Sequence, residues 1–80
     1  MTEREIYLDA RGLICPLPVL KACKLLMSLK PGDMLRVTVT DKAAPKDFGL
    51  FCTETGHLLK SVRDQGDMVE VTVECGKMSS

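Results

Sequence analysis

Two short stretches of alternating apolar and polar residues constrain the fold of this chain most strongly. Residues 34–40 and residues 68–75 are rich in β-branched side chains, and apolar and polar side chains alternate along almost all of both stretches. Such alternation is typical of strands that bury one face and expose the other. In the second stretch, Val69, Val71 and Val73 fall on the predicted inner face. The two stretches therefore predict two strands of a half-covered sheet.

Helical patterns separate the predicted strands. Residues 16–30 carry apolar side chains at helical spacing, and a second helix is predicted to begin at Pro45 and end at Gly56. Two further strands are predicted at residues 5–8 and 57–63, which completes the order βαβαββ. With right-handed crossovers, this order predicts an α/β protein of the α+β two-layer sandwich type. We expect a four-stranded mixed sheet with two helices on one face.

The size and charge of the chain exclude several classes of protein. Its 80 residues allow one core, so residues 1–80 are predicted to form a single domain. Lys and Arg number 11, as do Asp and Glu, and this balance argues against direct nucleic-acid binding. No apolar stretch approaches the roughly 18 residues of a membrane helix, and the charged start lacks a signal-peptide core. We therefore expect a cytoplasmic monomer whose four cysteines are reduced.

The cysteine that precedes the first predicted helix has the clearest chemistry. Pro16 and Pro18 follow Cys15 where a helix has amides without internal partners, so neither proline costs a helical hydrogen bond. We place Pro16 at the first helical position and Pro18 at the third, with Cys15 as the cap. The positive end of the helix favours a thiolate by less than about one pKa unit, with the Leu17 N–H as the expected donor. The sequence thus predicts a mildly activated thiol.

The residue three positions after Cys15 is Pro18, where a redox Cys-x-x-Cys motif has its second cysteine. A sulfur atom held on Cys15 would have no adjacent thiol to expel it, which suits a carrier better than a dithiol oxidoreductase. An inert cysteine packed beside Ile14 explains these residues equally well.

The segment around Cys15 resembles the signature of the TusA/SirA-like sulfur-carrier family, in which Cys-Pro-x-Pro opens the first helix. The resemblance covers nearly the whole chain in register, through residues 8–18, residues 31–35, Asp41, Asp47, Phe48, Gly56 and His57. It implies the βαβαββ sandwich that the patterns predict independently. It also implies that Cys15 carries sulfur as a persulfide.

The resemblance further implies a relay component rather than an independent enzyme. Cys15 would take sulfur from a cysteine desulfurase or a rhodanese-like donor and pass it to an acceptor protein, without a metal or organic cofactor. The destinations in the family are tRNA thiolation, molybdenum-cofactor assembly and dissimilatory sulfur oxidation. Residues expected to shape or support the site are Asp9, Arg11, Gly12, Leu13, Pro16, Leu17 and Pro18. Leu17 departs from the acidic residue of the best-known tRNA-thiolation members, which makes that pathway the less favoured one.

Two other classes of function stay open at this stage. One is a redox-sensing or regulatory interaction module in which Cys15 is a sensor or only a cap. The other is a structural metal-binding domain, which the lack of any Cys-x-x-Cys pair disfavours.

The other thiols and the single histidine are predicted to be structural. Cys23 lies on the apolar face of the first helix, and Cys75 ends the inner face of the last strand, so both are expected in the core. Cys52 is also expected to pack in the core, with an auxiliary thiol as the alternative. His57 is predicted to be a structural residue near a strand start, since nothing local ties it to Cys15.

Overall fold

The computed structural model describes residues 4–76, which form four strands and two helices in the predicted order βαβαββ. The charged start at residues 1–3 and the tail at residues 77–80 lie outside the described residues. The elements are β1 (Glu5–Ala10), α1 (Leu17–Leu26), β2 (Met34–Val39), α2 (Ala44–Thr55), β3 (Leu58–Asp64) and β4 (Val69–Glu74).

The strands form one mixed sheet in the order β1-β2-β4-β3. β1 and β2 are parallel, with Glu5 opposite Met34 and Ala10 opposite Val39. β4 lies antiparallel to both β2 and β3. Because β1 and β2 run in the same direction, the loops that follow them leave the sheet side by side.

The core lies between one face of the sheet and both helices, as predicted. The inner face is made by the alternating residues of β2 and β4, and α1 and α2 pack their apolar sides onto it. The largest buried side chains are Leu26, Leu35, Val37, Val39, Phe48, Val71 and Val73, together with Pro18. The opposite face is polar. The Arg36 guanidinium carbon lies 5.8 Å from the centroid of the Tyr7 ring. Arg36 also forms an ion pair with Glu5, although the angle between them does not give a hydrogen bond.

The boundaries of α1 differ from the prediction at both ends. The helix begins at Leu17 rather than Pro16, because the Leu17 N–H donates to the Ile14 carbonyl at 2.9 Å in a preceding turn. It ends at Leu26 rather than Lys30, because the N–H groups of Ser28 and Leu29 make i→i−3 hydrogen bonds instead of the helical i→i−4 bonds. Neither helix within residues 4–76 is long and apolar enough to cross a membrane.

The start of α2 differs from the prediction by one residue, and its end agrees with it. Gly56 follows the last helical residue with φ +88°, and its N–H donates to the Cys52 carbonyl at 2.9 Å. Glycine adopts this left-handed conformation without the steric cost that other residues incur.

Both described ends of the chain lie beside the turn between α1 and β2. The Met34 N–H donates to the Arg4 carbonyl at 2.8 Å, and the Gly32 N–H donates to the Cys75 carbonyl at 2.9 Å. This turn is at the opposite end of the sheet from the loop between β1 and α1.

Candidate functional site

The loop between β1 and α1 is fixed to the neighbouring loop before it reaches Cys15. Gly12 takes φ +81°, and its N–H donates to Thr40 Oγ1 at 2.9 Å across the gap to the end of β2. Leu13 is half-buried and packs against the core. The parallel pairing of β1 and β2 thus places both connecting loops at the carboxyl end of the strands, where α/β proteins commonly build sites.

Asp41 holds the backbone of Cys15 in place. Its Oδ2 accepts the Cys15 N–H at 2.8 Å, and its Oδ1 accepts the Ala43 N–H at 2.9 Å. These two backbone hydrogen bonds lower the pKa of the Asp41 carboxyl. The carboxylate therefore joins the cysteine loop to the start of α2.

The thiol of Cys15 donates a hydrogen bond to Asp47 Oδ2. Asp47 lies in the first turn of α2 and is half-buried, as is Cys15. The sequence resemblance includes both residues, but local patterns gave no reason to bring them into contact. Only the packing of α2 beside the β1–α1 loop does so.

The predicted activation of Cys15 is wrong for this state of the protein, because the site raises the pKa of the thiol. The hydrogen bond to Asp47 is the largest cause, followed by partial burial and by the negative charges of Asp47 and Asp41. The Leu17 N–H was expected to donate to the sulfur, but it donates to the Ile14 carbonyl instead.

The prolines lie one position away from where the sequence placed them. Pro16 occupies the N-cap position of α1, with φ −98° and ψ 17°, and Pro18 is buried at the second helical position. Cys15 therefore precedes the cap instead of forming it, and the peptide bond between Cys15 and Pro16 is cis. Leu17, the first helical residue, stays 46% exposed.

Asp9 and Arg11 form an ion pair at the beginning of the loop. The Arg11 guanidinium contacts both carboxylate oxygens at 2.9 Å, and the Arg11 N–H donates to Oδ1 at 3.1 Å. These contacts lower the pKa of Asp9 to about 2. Within residues 4–76 the guanidinium makes no hydrogen bond to Cys15, so the expected support of the site by Arg11 stays a prediction.

Exposed apolar side chains flank the cysteine, and we term Ile14, Leu17 and Leu20 the apolar rim. Their exposed fractions are 71%, 46% and 57%. Leu17 and Leu20 are three residues apart and so share a face of α1. Apolar surface around a partly accessible reactive group is typical of a site that meets another protein.

The remaining cysteines differ in burial. Cys52 and Cys75 are 4% and 3% exposed and belong to the core, as predicted. Cys23 is half-buried and lies outside the core cluster, so the core prediction is wrong for it. Among residues 4–76, no three His, Cys, Asp or Glu side chains are grouped so that they could hold a metal ion.

His57 is structural, as predicted. It is 4% exposed, its Nδ1 accepts the Gly76 N–H at 2.9 Å, and its ring centroid lies 5.6 Å from that of Phe51. Burial lowers the pKa of His57.

Comparisons with known proteins find relatives in sequence and in structure. A family model described as Sulfurtransferase TusA matches residues 6–75. A Neisseria meningitidis serogroup A protein with the name of a sulfur carrier is 45% identical over 67 residues, which cover 84% of this chain and 90% of that protein. Sulfur carrier protein TusA of Allochromatium vinosum is 41% identical over 66 residues, covering 82% and 87%.

A solved structure also matches. The crystal structure of a SirA-like protein from Desulfitobacterium hafniense has a TM-score of 0.78 at 27% identity, and the match covers 90% of this chain and 99% of that one. The similarity in sequence and in structure thus extends over most of the chain.

Proposed function

The chain belongs to the TusA/SirA-like sulfur-carrier family. We propose that Cys15 is the sulfur-carrying residue, which holds sulfur as a persulfide after a donor protein supplies it and until an acceptor protein takes it. We extend this role to residues 1–80 as one sulfur-carrier domain, monomeric and cytoplasmic.

The position of the Cys15 sulfur is the observation that carries the proposal. It lies in a loop that is fixed on both sides, beside the exposed apolar rim, while Cys52 and Cys75 are sealed in the core. Sulfur exchange requires the attacking thiol to be accessible to its partner. Pro18 at the position of a resolving cysteine leaves the loaded sulfur without a neighbour that could expel it.

The loading step is an exchange at sulfur. The Cys15 sulfur attacks the terminal sulfur of a donor persulfide R–S–SH, a new S–S bond forms to Cys15, and the S–S bond of the donor breaks. The proton of the Cys15 thiol is transferred to the departing R–S⁻, so the products are Cys15–S–SH and R–SH. Delivery repeats the exchange with an acceptor thiol as the attacking group.

The partners are those that membership of the family implies. A cysteine desulfurase or a rhodanese-like protein supplies the donor persulfide, and an acceptor protein with a thiol receives the sulfur. No step in this sequence calls for a cofactor or a metal on the carrier. Leu17 makes the surface next to the sulfur apolar, which favours a protein acceptor other than the tRNA-thiolation relay.

A redox sensor is the less supported alternative. Sensor cysteines are low-pKa thiols, because the thiolate is the form that oxidants attack. The hydrogen bond to Asp47 raises the pKa of Cys15, and the relatives that match most of the chain have the names of sulfur carriers, not of sensors.

Intact-mass measurement after loading tests the proposal. The protein is incubated with a cysteine desulfurase and cysteine, or with a rhodanese and thiosulfate, and we expect a gain of one sulfur atom. Cys15→Ser removes the gain, whereas Cys23→Ser, which alters the other partly exposed thiol, keeps it. A sulfur gain that persists in Cys15→Ser, or no gain from either donor in the unaltered protein, contradicts the proposal.

A further inference from the structure

Asp47 contacts the reacting atom but has no part in the exchange described above. We propose that Asp47 is a positioning residue: it holds the empty Cys15 sulfur against α2 as a neutral thiol and turns the loaded, anionic sulfur away from α2 toward solvent. This inference rests on the proposed carrier function of Cys15.

The two carboxylates of the site make different contacts. Both carboxylate oxygens of Asp41 accept hydrogen bonds from backbone N–H groups, those of Cys15 and Ala43. The Asp47 carboxylate makes one hydrogen bond within residues 4–76, and it is the bond from the Cys15 thiol. Asp41 therefore fixes the loop, whereas Asp47 acts on the sulfur itself.

The charged groups around the sulfur are predominantly negative. α2 contributes Asp47 and the loop before it contributes Asp41, and both charges act on Cys15. On the cysteine's own loop, Arg11 is paired with Asp9. Within residues 4–76, no lysine or arginine forms a salt bridge with Asp41 or Asp47. An anion on sulfur is thus disfavoured beside Asp47, and a neutral thiol is held there by its hydrogen bond.

Loading reverses this preference. When the Cys15 sulfur forms an S–S bond, it loses its hydrogen and can no longer donate to Asp47. The terminal sulfur is a hydropersulfide, which loses its proton to water more readily than a thiol does. The resulting anion is repelled by Asp47 and Asp41. The added S–S bond of about 2.05 Å lets the terminal sulfur rotate away from the two carboxylates, and rotation toward solvent relieves the repulsion.

The pH dependence of Cys15 alkylation tests the empty state. Asp47→Asn removes the charge and retains an oxygen that can accept the thiol hydrogen. Iodoacetamide labelling of the Cys15 peptide, followed by mass spectrometry, should show a lower midpoint pH in this variant. For each unit that the pKa falls, the thiolate fraction rises about tenfold and its intrinsic nucleophilicity falls about threefold. The net expectation near neutral pH is a rate about threefold higher.

Two further variants separate the charge from a general effect on the fold. Asp67→Asn removes a negative charge from the exposed turn between β3 and β4 and should leave the midpoint unchanged. Asp47→Glu restores the charge and should return the midpoint toward that of the unaltered protein. A midpoint that stays in place or rises in Asp47→Asn, in a variant with an unaltered circular dichroism spectrum, overturns the proposal.

The loaded state gives a second readout. Loaded and empty protein are alkylated side by side. The rate for the loaded protein divided by the rate for the empty protein measures how well the site distinguishes the two states. We expect the ratio to fall about threefold or more in Asp47→Asn, because the empty thiol becomes more reactive while the outward sulfur changes little. An unchanged ratio overturns the proposed link between loading and sulfur position.

The outcomes distinguish failure of this inference from failure of the carrier function. Alkylation of the empty thiol does not depend on any sulfur donor. If the unaltered protein takes up sulfur at Cys15 and Asp47→Asn alkylates like it, the carrier function stands and the role of Asp47 is wrong. If the midpoint shifts but no donor loads Cys15, the carrier function is wrong and with it the positioning of a loaded sulfur.

Discussion

At the residue scale, two titratable side chains at opposite ends of α2 owe their protonation state to what they contact. At the beginning of the helix, the Asp47 carboxylate raises the pKa of the Cys15 thiol. Beyond its end, burial lowers the pKa of His57, and the Gly76 N–H occupies its Nδ1. A proton on Nδ1 would face that donor, so the neutral ring is the form that the fold accommodates.

The pH dependence of stability should therefore show a histidine step. The folded-state pKa of His57 lies below the unfolded value of about 6.5, so the unfolded chain binds more protons as the pH falls through this range. We expect the Tm from circular dichroism to be highest above this value and to fall by a few degrees, on the order of 4 °C, toward pH ~5.5.

His57→Asn is the matched variant, since its amide oxygen can accept the Gly76 N–H without titrating. Its Tm should be flat over the same range. Carboxyls with a lowered pKa, such as Asp33 and Asp64, lose their contribution only below about pH 4 and do not interfere. An equally steep fall in the variant would contradict the assignment.

The two ends of α2 also show how far residue patterns reach. The contact of His57 with Gly76 spans 19 residues and the contact of Cys15 with Asp47 spans 32. A single-sequence argument can identify each residue as noteworthy, but it cannot establish which distant side chain it meets. For this reason the motif cysteine was predicted, and the direction of its pKa was predicted wrongly.

At the element scale, local signals were sufficient wherever a boundary depends on neighbouring residues. Alternation predicted β2 and β4 because the period of a strand is written in consecutive positions. Gly56 predicted the end of α2 because a left-handed residue is needed there. The beginning of α1 was predicted one residue early. The two prolines fit the observed turn, in which the Leu17 N–H donates to the Ile14 carbonyl, as well as they fit a helix that begins at Pro16.

Two glycines at the junction of α2, β3 and β4 should respond to alanine with opposite signs. A methyl group on Gly76 would lie 2.8 Å from the carbonyl carbon of Gly56 and 3.0 Å from the Cα of His57. Backbone atoms cannot yield as a flexible side chain can, so Gly76→Ala should lower the free energy of unfolding by about 1–3 kcal/mol. Urea denaturation measures this change in the free energy of unfolding.

Gly49→Ala is the counterpart within α2. Its methyl group would meet Leu59 Cδ2 at 3.9 Å, an ordinary contact, and alanine favours the helix over glycine by about 0.5–1 kcal/mol. This variant should be more stable than the unaltered protein. Equal effects of the two substitutions would show that the close approach at Gly76 does not restrict the junction.

At the scale of the whole molecule, the Cys15 sulfur and the exposed apolar rim lie on the helical layer at the carboxyl end of β1 and β2. The other face of the sheet is polar and carries Tyr7 and Arg36. The molecule thus offers a partner two chemically different faces, and only the helical face includes Cys15. We expect sulfur donors to dock on that face.

Leu20→Ser should slow loading by a donor protein several-fold at subsaturating donor concentration, because it removes apolar surface from the rim. The leucine is 57% exposed, so the fold should lose little stability. Iodoacetamide labelling of Cys15 should not change, since a small reagent needs no docking surface. Initial rates of mass gain measure the effect.

Tyr7→Thr supplies the control on the opposite face. Tyr7 is 65% exposed, and threonine suits a strand, so this variant should load at the original rate. Equal slowing in both variants would place the docking surface elsewhere.

The turn between α1 and β2 brings Arg4 and Cys75 together at the end of the sheet that is remote from the reactive sulfur. A reporter protein joined through a linker beyond either of these residues is therefore expected on the side of the molecule opposite Cys15. We expect the Cys15 site to stay open to partners when the domain is joined to a larger polypeptide beyond either of these residues.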